Sequence, residues 1–275
     1  MGSRIMQLDY AFKAFLSRLR GEKRHGPYSS KHFRLVLDLT KVRNKALAEP
    51  DPQIKAFLLY AISFGALSHS QIFQDAFVHW ALGGKRDGYF CDFGATNGVA
   101  LSNSYALENN FGWTGICAEP ATSWHEDLRK NRPGIITETR CVWARSGERL
   151  TFSESVSREL STLTQFESAD NHARHRRGAK TYEVETISLN DMLEQHNAPE
   201  KFDYLSIDTE GSELDILRAF DIKRWRPAVI TVEHNYTANR QPICDLLVAA
   251  GYRRVLPEVS LYDDWYVEER VQLPG

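Results

Sequence analysis

The sequence predicts a doubly wound α/β domain behind a helical extension. Three observations carry this. Apolar runs ending in acid or glycine recur as YFCDFGATNG from Tyr89, ICAEP from Ile116 and YLSIDTEGSE from Tyr204. Buried parallel strands read as such short runs. Segments of helical periodicity separate them, which is the pattern of strands joined by crossover helices. In open sheets of this kind ligands bind beyond the carboxyl ends of the strands. Asp92, Gly94, Glu119, Asp208 and Glu210 are therefore expected at one crevice.

Residues 1–85 read as the helical extension, and 86–275 as the domain that carries the site. Within 1–24, Leu8, Ala11, Phe12, Phe15, Leu16 and Leu19 fall on one helical face, with Lys13, Arg18, Arg20, Lys23 and Arg24 around the rest. Such a helix either packs on the main domain or makes a peripheral contact with a membrane or partner. His25-Gly26-Pro27 ends it and Pro50-Asp51-Pro52 breaks the next segment. Helical spacing returns over 53–82, and Gly83-Gly84 stops it. The first strand of the main domain is expected at 89–93, a helix at 99–109, and a second strand at 114–118. A helix at 124–131 and a strand at 134–140 follow. Short strands are expected at 149–153 and 181–187, then a helix at 189–196 entered through Ser188. Strands at 202–207 and 228–233, a helix at 241–250 and strands at 252–256 and 265–267 complete the sheet.

Composition narrows the function. The chain has 275 residues, 42% hydrophobic and 25% charged, with a net charge of −2. A dedicated nucleic-acid binder would carry a basic excess, so none is expected here. No apolar run approaches the ~18 residues that span a bilayer, and no apolar segment of a secretory signal follows the first basic residue. Cys91, Cys117, Cys141 and Cys244 form no C-x-x-C pair. Cys91 and Cys117 read as small buried hydrophobes, and free thiols favour a cytoplasmic setting.

The loop after the first strand is Asp92-Phe93-Gly94-Ala95-Thr96-Asn97-Gly98. Gly94 permits a sharp turn and close approach of a ligand, while Gly98 lets the next helix sit near the strand. A pyrophosphate-binding loop wants G-x-G-x-x-G; here the two glycines stand four apart. The loop therefore suits a nucleoside cofactor without a pyrophosphate. The Asp92 carboxylate suits a ligand with an ammonium group, as S-adenosylmethionine has and NAD lacks. Glu119, at the end of the second strand, can accept both ribose hydroxyls, with Pro120 stopping the strand beside it. Arg140-Cys141-Val142-Trp143 is placed to border the adenine, with Trp143 either covering the ring or lying in the core. Asp208-Thr209-Glu210-Gly211-Ser212-Glu213 crowds acids beyond the sheet, which calls for a compensating cation such as a sulfonium. Glu233-His234-Asn235-Tyr236 again places polar groups at the crevice. Three readings stand open there: His234 as a general base, Asp208, His234 and Asn235 as ligands of Mg²⁺ or Mn²⁺, or a hydrogen-bonded strand end.

These segments together resemble the FkbM family of S-adenosylmethionine-dependent methyltransferases. FCDFGATNGVALSNSYALE, GWTGICAEP, TISLNDML, YLSIDTEGSELDIL, VITVEHN and DDWYV carry the resemblance in order, over about 89–267. It implies a Rossmann-like seven-stranded methyltransferase sheet and methyl transfer to an oxygen of a small molecule, sugar or glycan. The expected cofactor-binding set is Asp92, Gly94, Ala95, Asn97, Gly98, Ser102, Asn103, Glu119, Pro120, Cys141, Val142 and Asp208, with Asp208, Glu210 and His234 as catalytic residues. Asn97-Gly98 stands where many members carry an acid before glycine. A nicotinamide-dependent oxidoreductase shares Glu119 but needs a different phosphate loop, and a non-catalytic nucleoside-binding protein would keep the fold. Between two strands, His172, Arg174, His175, Arg176 and Arg177 form a basic cluster, either solvated or placed to hold an anionic substrate. Ser161-Thr162-Leu163 is expected to share its lid.

Overall fold

The computed structural model describes residues 30–155, 162–164 and 180–275. The helix expected at 1–24, the basic cluster from His172 to Arg177 and Ser161 lie outside them. The chain divides into two units, Met1–Ala48 and Glu49–Gly275. The described part of the first is one helix, α1 (Ser30–Ala48), with Leu35, Val36, Leu39, Val42 and Leu47 exposed along it.

In the second unit, α2 (Pro52–Phe64) and α3 (Gln74–Ala81) precede β1 (Tyr89–Phe93). Then come α4 (Tyr105–Phe111), β2 (Thr114–Ala118), α5 (His125–Asn131), β3 (Ile136–Glu138), β4 (Cys141–Trp143), β5 (Arg149–Glu154), β6 (Thr162–Leu163) and β7 (Lys180–Ser188). The chain continues with α6 (Leu189–Gln195), β8 (Tyr204–Ile207), α7 (Glu213–Ala219), β9 (Val229–Glu233), α8 (Arg240–Ala249), β10 (Tyr252–Val255) and β11 (Asp263–Glu268). Seven strands form the main sheet in the order β10-β11-β9-β8-β1-β2-β3. β3, β2, β1, β8 and β9 run parallel, and β11 is antiparallel to β9 and β10. Chain order reverses at β1, between β2 and β8. That switch point is where such sheets open a crevice. The doubly wound, Rossmann-like seven-stranded expectation describes this sheet.

Strand alternation sorts the central side chains. Cys91 and Phe93 join Leu205, Ile207, Ile230 and the residues of α6, α7 and α8 in one core. Phe90 faces the other way, into a core with Phe57, Phe77, Trp80, Leu107 and Trp265. Phe77 stacks on Trp265 at 4.5 Å between ring centroids, and Phe57 meets the same ring edge-on at 5.4 Å. Aromatic pairs of this geometry contribute about 0.5–1.5 kcal/mol beyond their buried area. Helices α2 and α3 thus pack directly on the sheet. Asp51 caps α2, accepting from the backbone N–H of Gln53 and Ile54 at 2.8 and 3.0 Å.

Three local expectations are corrected. The periodic stretch 53–82 is two helices, because a polar loop turns around the buried Asp75. Asp75 accepts from the hydroxyls of Ser68 and Ser70, both at 2.7 Å, and from His69 N–H at 2.9 Å. The helix expected at 99–109 begins only at Tyr105, since residues 94–104 are a hydrogen-bonded loop. The strand expected at 134–140 is the shorter β3. β4, β7, β5 and β6 form a separate four-stranded sheet in that order.

Candidate active site

A cavity of about 240 Å³ opens beyond the carboxyl ends of β1, β2, β8 and β9. Gly94, Glu119, Pro120, Cys141, Val142, Asp208, Glu210 and Asn235 line it, together with Thr96, Leu101, Glu233, Gln71 and Tyr262. The lining contains no Lys or Arg among the described residues.

On the β1–β2 side the geometry is fixed by backbone. Gly94 adopts φ +73°, and a Cβ there would stand 2.2 Å from the Asp208 carbonyl oxygen. Only glycine fits that approach. Gly94 N–H donates to the Ala118 carbonyl at 3.1 Å, which fastens the turn to the neighbouring strand end. Glu119 is 4% exposed. Its two carboxylate oxygens accept one amide each, from Thr96 and Ala121, both at 2.8 Å. Burial pushes this carboxyl up to about 7, against the pull of those two amides. Each oxygen keeps a second lone pair for a ligand. Val142, brought by β4, and Cys141 add apolar wall. Trp143 packs into the small cluster around Phe152 and Leu163, so it is a core side chain of the second sheet.

On the β8–β9 side the geometry is set by acids meeting acids. Carboxylate oxygens of Asp208, Glu210 and Glu233 lie within 4.8 Å of one another. Burial, and then the neighbouring Glu213, push Asp208 up to about 7, although it still opens onto the cavity. Glu233 is driven well above the usual carboxylate range by burial and by Asp208, Glu210, Glu213 and Asp263. Asp263 on β11 rises to about 8, chiefly by burial, then through Asp208. Glu213 is better served: it accepts from Thr209 N–H, Thr209 hydroxyl and Gly211 N–H at 3.1, 2.9 and 2.9 Å. The turn that delivers Glu210 is held open by φ +58° at Glu210 and +126° at Gly211. Two further non-glycine residues, Asn235 and Tyr236, adopt φ +43° and +56° at the end of β9.

Other expected site residues stand behind the wall. Asp92 shares the sheet face of Phe90 and is 2% exposed, accepting from the Ser104 hydroxyl at 2.6 Å. Burial raises it. Ala95 is buried under the turn. Asn97 accepts from Val99 and Ala100 N–H, both at 2.9 Å, and so shapes the loop from within. Gly98 sits against Leu128 and Arg132. Ser102 accepts from the Tyr105 N–H at 3.1 Å, at the start of α4, and Asn103 donates to the Ser206 hydroxyl at 3.0 Å. His234 does not line the cavity that Asp208 and Glu210 line. Its Nδ1 accepts from Tyr236 N–H at 3.0 Å and its Nε2 lies 3.8 Å from Asp264. Glu233 and His234 are consecutive, so one residue faces the acid cluster and the other faces away. His234 lines a second cavity of about 190 Å³ with Gly211, Thr237 and Asn239. Among the described His, Cys, Asp and Glu residues the set able to meet one cation is Asp208, Glu210 and Glu233, while Asp208 and His234 line different cavities.

Sequence reading assigns no site role to Thr96, Gln71 and Tyr262, and places Glu233 at the crevice without a role of its own. Thr96 acts through its backbone N–H, which no side-chain motif reveals. Gln71 comes from the α2–α3 loop, and the Tyr262 hydroxyl donates to its Oε1 at 2.6 Å. Glu233 was legible as the last residue of an apolar run.

No curated protein matches the chain in sequence. Among solved structures it is similar to precorrin-6Y C5,15-methyltransferase from Geobacter metallireducens, at 14% identity and TM-score 0.40, covering 70% of this chain and 84% of that one. It is also similar to human methyltransferase 10 domain containing protein, at 12% identity and TM-score 0.39, covering 72% and 82%. A TehB-like S-adenosylmethionine-dependent methyltransferase from Corynebacterium glutamicum gives 9% identity and TM-score 0.35, covering 74% and 90%. Likenesses this distant carry no functional argument. The methyltransferase FkbM domain profile matches residues 92–254, more than half of the chain and every strand tip around the larger cavity. The chain belongs to the FkbM family of S-adenosylmethionine-dependent methyltransferases.

Proposed function

We propose that this methyltransferase acts on a hydroxyl oxygen of a small molecule, sugar or glycan. The observation that carries the proposal is the division of one cavity into two chemistries. The β1–β2 wall offers a bent glycine and an amide-held carboxylate. The β8–β9 wall offers clustered carboxyls, with Asp208 raised to about 7. The first wall fits the cofactor: Glu119 keeps lone pairs for the ribose hydroxyls, Gly94 admits close approach of the methionine portion, and Val142 with Cys141 covers the base. A wall without Lys or Arg also suits a cationic sulfonium. When bound, S-adenosylmethionine supplies an electrophilic methyl group.

The chain's own residues do the rest. Gly94 and Glu119 fix the donor's position, and orientation of this kind supplies much of the rate in displacement reactions. Burial and mutual repulsion raise both Asp208 and Glu233 and oppose their double ionisation. Their ionised member is placed to take the acceptor's hydroxyl proton. Asn235 and Tyr262 offer both donors and acceptors to orient a hydroxyl-bearing substrate. The free cysteines Cys91, Cys117, Cys141 and Cys244 accord with a reducing, cytoplasmic setting. Incubation with isotopically labelled donor and with metabolite and glycan extracts tests the reading. Label appearing as an O-methyl group is the expected result. Label on nitrogen or carbon overturns the oxygen assignment, and donor binding without any transfer indicates a non-catalytic member.

A further inference from the structure

We propose that Arg132 is a positioning residue for donor binding, acting from the side of the glycine loop that faces away from the cavity. This deepens the donor-site reading above and rests on it. Arg132 follows the last turn of α5 and is fully buried, far from the strand tips that attract attention in the sequence. Its guanidinium donates to the Gly98 carbonyl at 2.9 Å and to the hydroxyls of Ser102, at 3.4 Å, and Ser104, at 3.3 Å. It forms an ion pair with Glu108 of α4, and it lies 5.5 Å from the ring centres of both Phe90 and Tyr105. Gly98, at φ +80°, rests on its side-chain stem so closely that a Cβ would stand 2.7 Å from Arg132 Cγ.

The loop 94–104 is thus clamped between two surfaces. One surface is the cavity, lined by Gly94, Thr96 and Leu101 of this loop. The other is Arg132. A planar fork meeting a carbonyl, two hydroxyls and a carboxylate fixes the loop more tightly than an ammonium would. The loop in turn fixes Thr96 N–H, one of the two amides that hold Glu119.

A second branch runs through Ser104. Its hydroxyl receives from Arg132 and donates to Asp92 Oδ2 at 2.6 Å. With the Arg132 charge behind it, this bond opposes the rise that burial imposes on the Asp92 carboxyl. Asp92 is also faced by Cys117, Tyr204, Asp208 and Asp75. Arg132 is the cation acting on this group among the described residues. The two branches address different parts of a donor. The loop branch governs the nucleoside through Thr96 and Glu119. The Asp92 branch, which reaches the cavity through the adjoining Phe93-Gly94 turn and not through the buried carboxyl itself, governs the charged amino-acid end.

Two ligands separate these branches from a merely structural role. S-adenosylhomocysteine carries both nucleoside and amino acid, while 5′-methylthioadenosine lacks the ammonium and carboxylate. Binding of each is measured by calorimetry to the full chain, with circular dichroism verifying the fold. Arg132→Lys is expected to weaken both ligands by about tenfold or more, as loss of a buried bidentate donor does. Ser104→Ala is expected to weaken S-adenosylhomocysteine by a similar factor and leave methylthioadenosine within about twofold. A folded Arg132→Lys variant that binds both like wild type overturns the loop branch. Equal weakening of both ligands by Ser104→Ala overturns the Asp92 branch. Wild-type protein that binds neither ligand defeats the donor-site reading itself, an outcome distinct from the other two.

Discussion

The two halves of the cavity are both acidic and are stabilised in opposite ways. Glu119 has each oxygen held by a backbone amide. Asp208, Glu210 and Glu233 instead have one another. A carboxylate held by amides is already in its working geometry, and removing it costs binding. Carboxylates held against like charge are strained in the empty protein, and removing one relieves the fold. The half that grips the donor is therefore built for affinity, and the half proposed to face the acceptor trades stability for basicity, as sites under selection for activity do.

The largest effect should come from breaking that trade. Asp208→Asn is expected to lower kcat by about 10²–10⁴, the scale of a lost general base, while the melting temperature holds or rises. A variant that loses stability together with activity would mean that Asp208 supports the fold. Next in size is Gly94→Ala. The positive φ and the clash with the Asp208 carbonyl together cost about 2–5 kcal/mol, to be read as a lower denaturation midpoint and loss of donor binding. Glu119→Ala should weaken donor binding by about 1–3 kcal/mol, measured by calorimetry; an unchanged affinity would take Glu119 out of the donor site.

The smallest effect is a pH dependence. Glu119 and Asp208 titrate near 7 in the fold and Asp263 near 8, all raised above their ordinary values. A carboxyl raised by burial stabilises the fold while protonated. Its contribution is complete below the ordinary carboxyl range and is lost as pH rises through the folded value. The ligand-free melting temperature is therefore expected to fall between pH 6 and pH 9, and saturating S-adenosylmethionine, which favours the ionised forms, should flatten the fall. Scanning calorimetry across that range checks both, and a melting temperature that climbs over the same interval would contradict the assignment.

Much of the sheet was legible because burial on both faces leaves uninterrupted apolar runs: YFCDF, TGICA and VITVE each became a strand. The acids that end those runs marked the cavity, since a polar group at a strand tip must meet solvent or a ligand. What stayed hidden depended on partners distant in sequence. Cys141–Trp143 reads as a border to the adenine without a strand of its own, yet it pairs with Thr186–Ser188 in another sheet. The break between α2 and α3 needed Asp75, whose hydroxyl partners look like an ordinary polar loop. His234 drew attention through its chemistry, but alternation along β9 aimed Glu233 at the cluster in its place. Arg132 carried no motif at all, because its importance lies in what it touches.

The packing of α2 and α3 has a practical consequence. A recombinant chain trimmed to start near residue 86 would strip Phe57 and Phe77 from the indole of Trp265 and leave Asp263 without the amide of Gln74. Such a fragment would carry every recognisable methyltransferase motif yet bare the sheet face that α2 and α3 cover, so a trimmed chain is best begun upstream of Asp51.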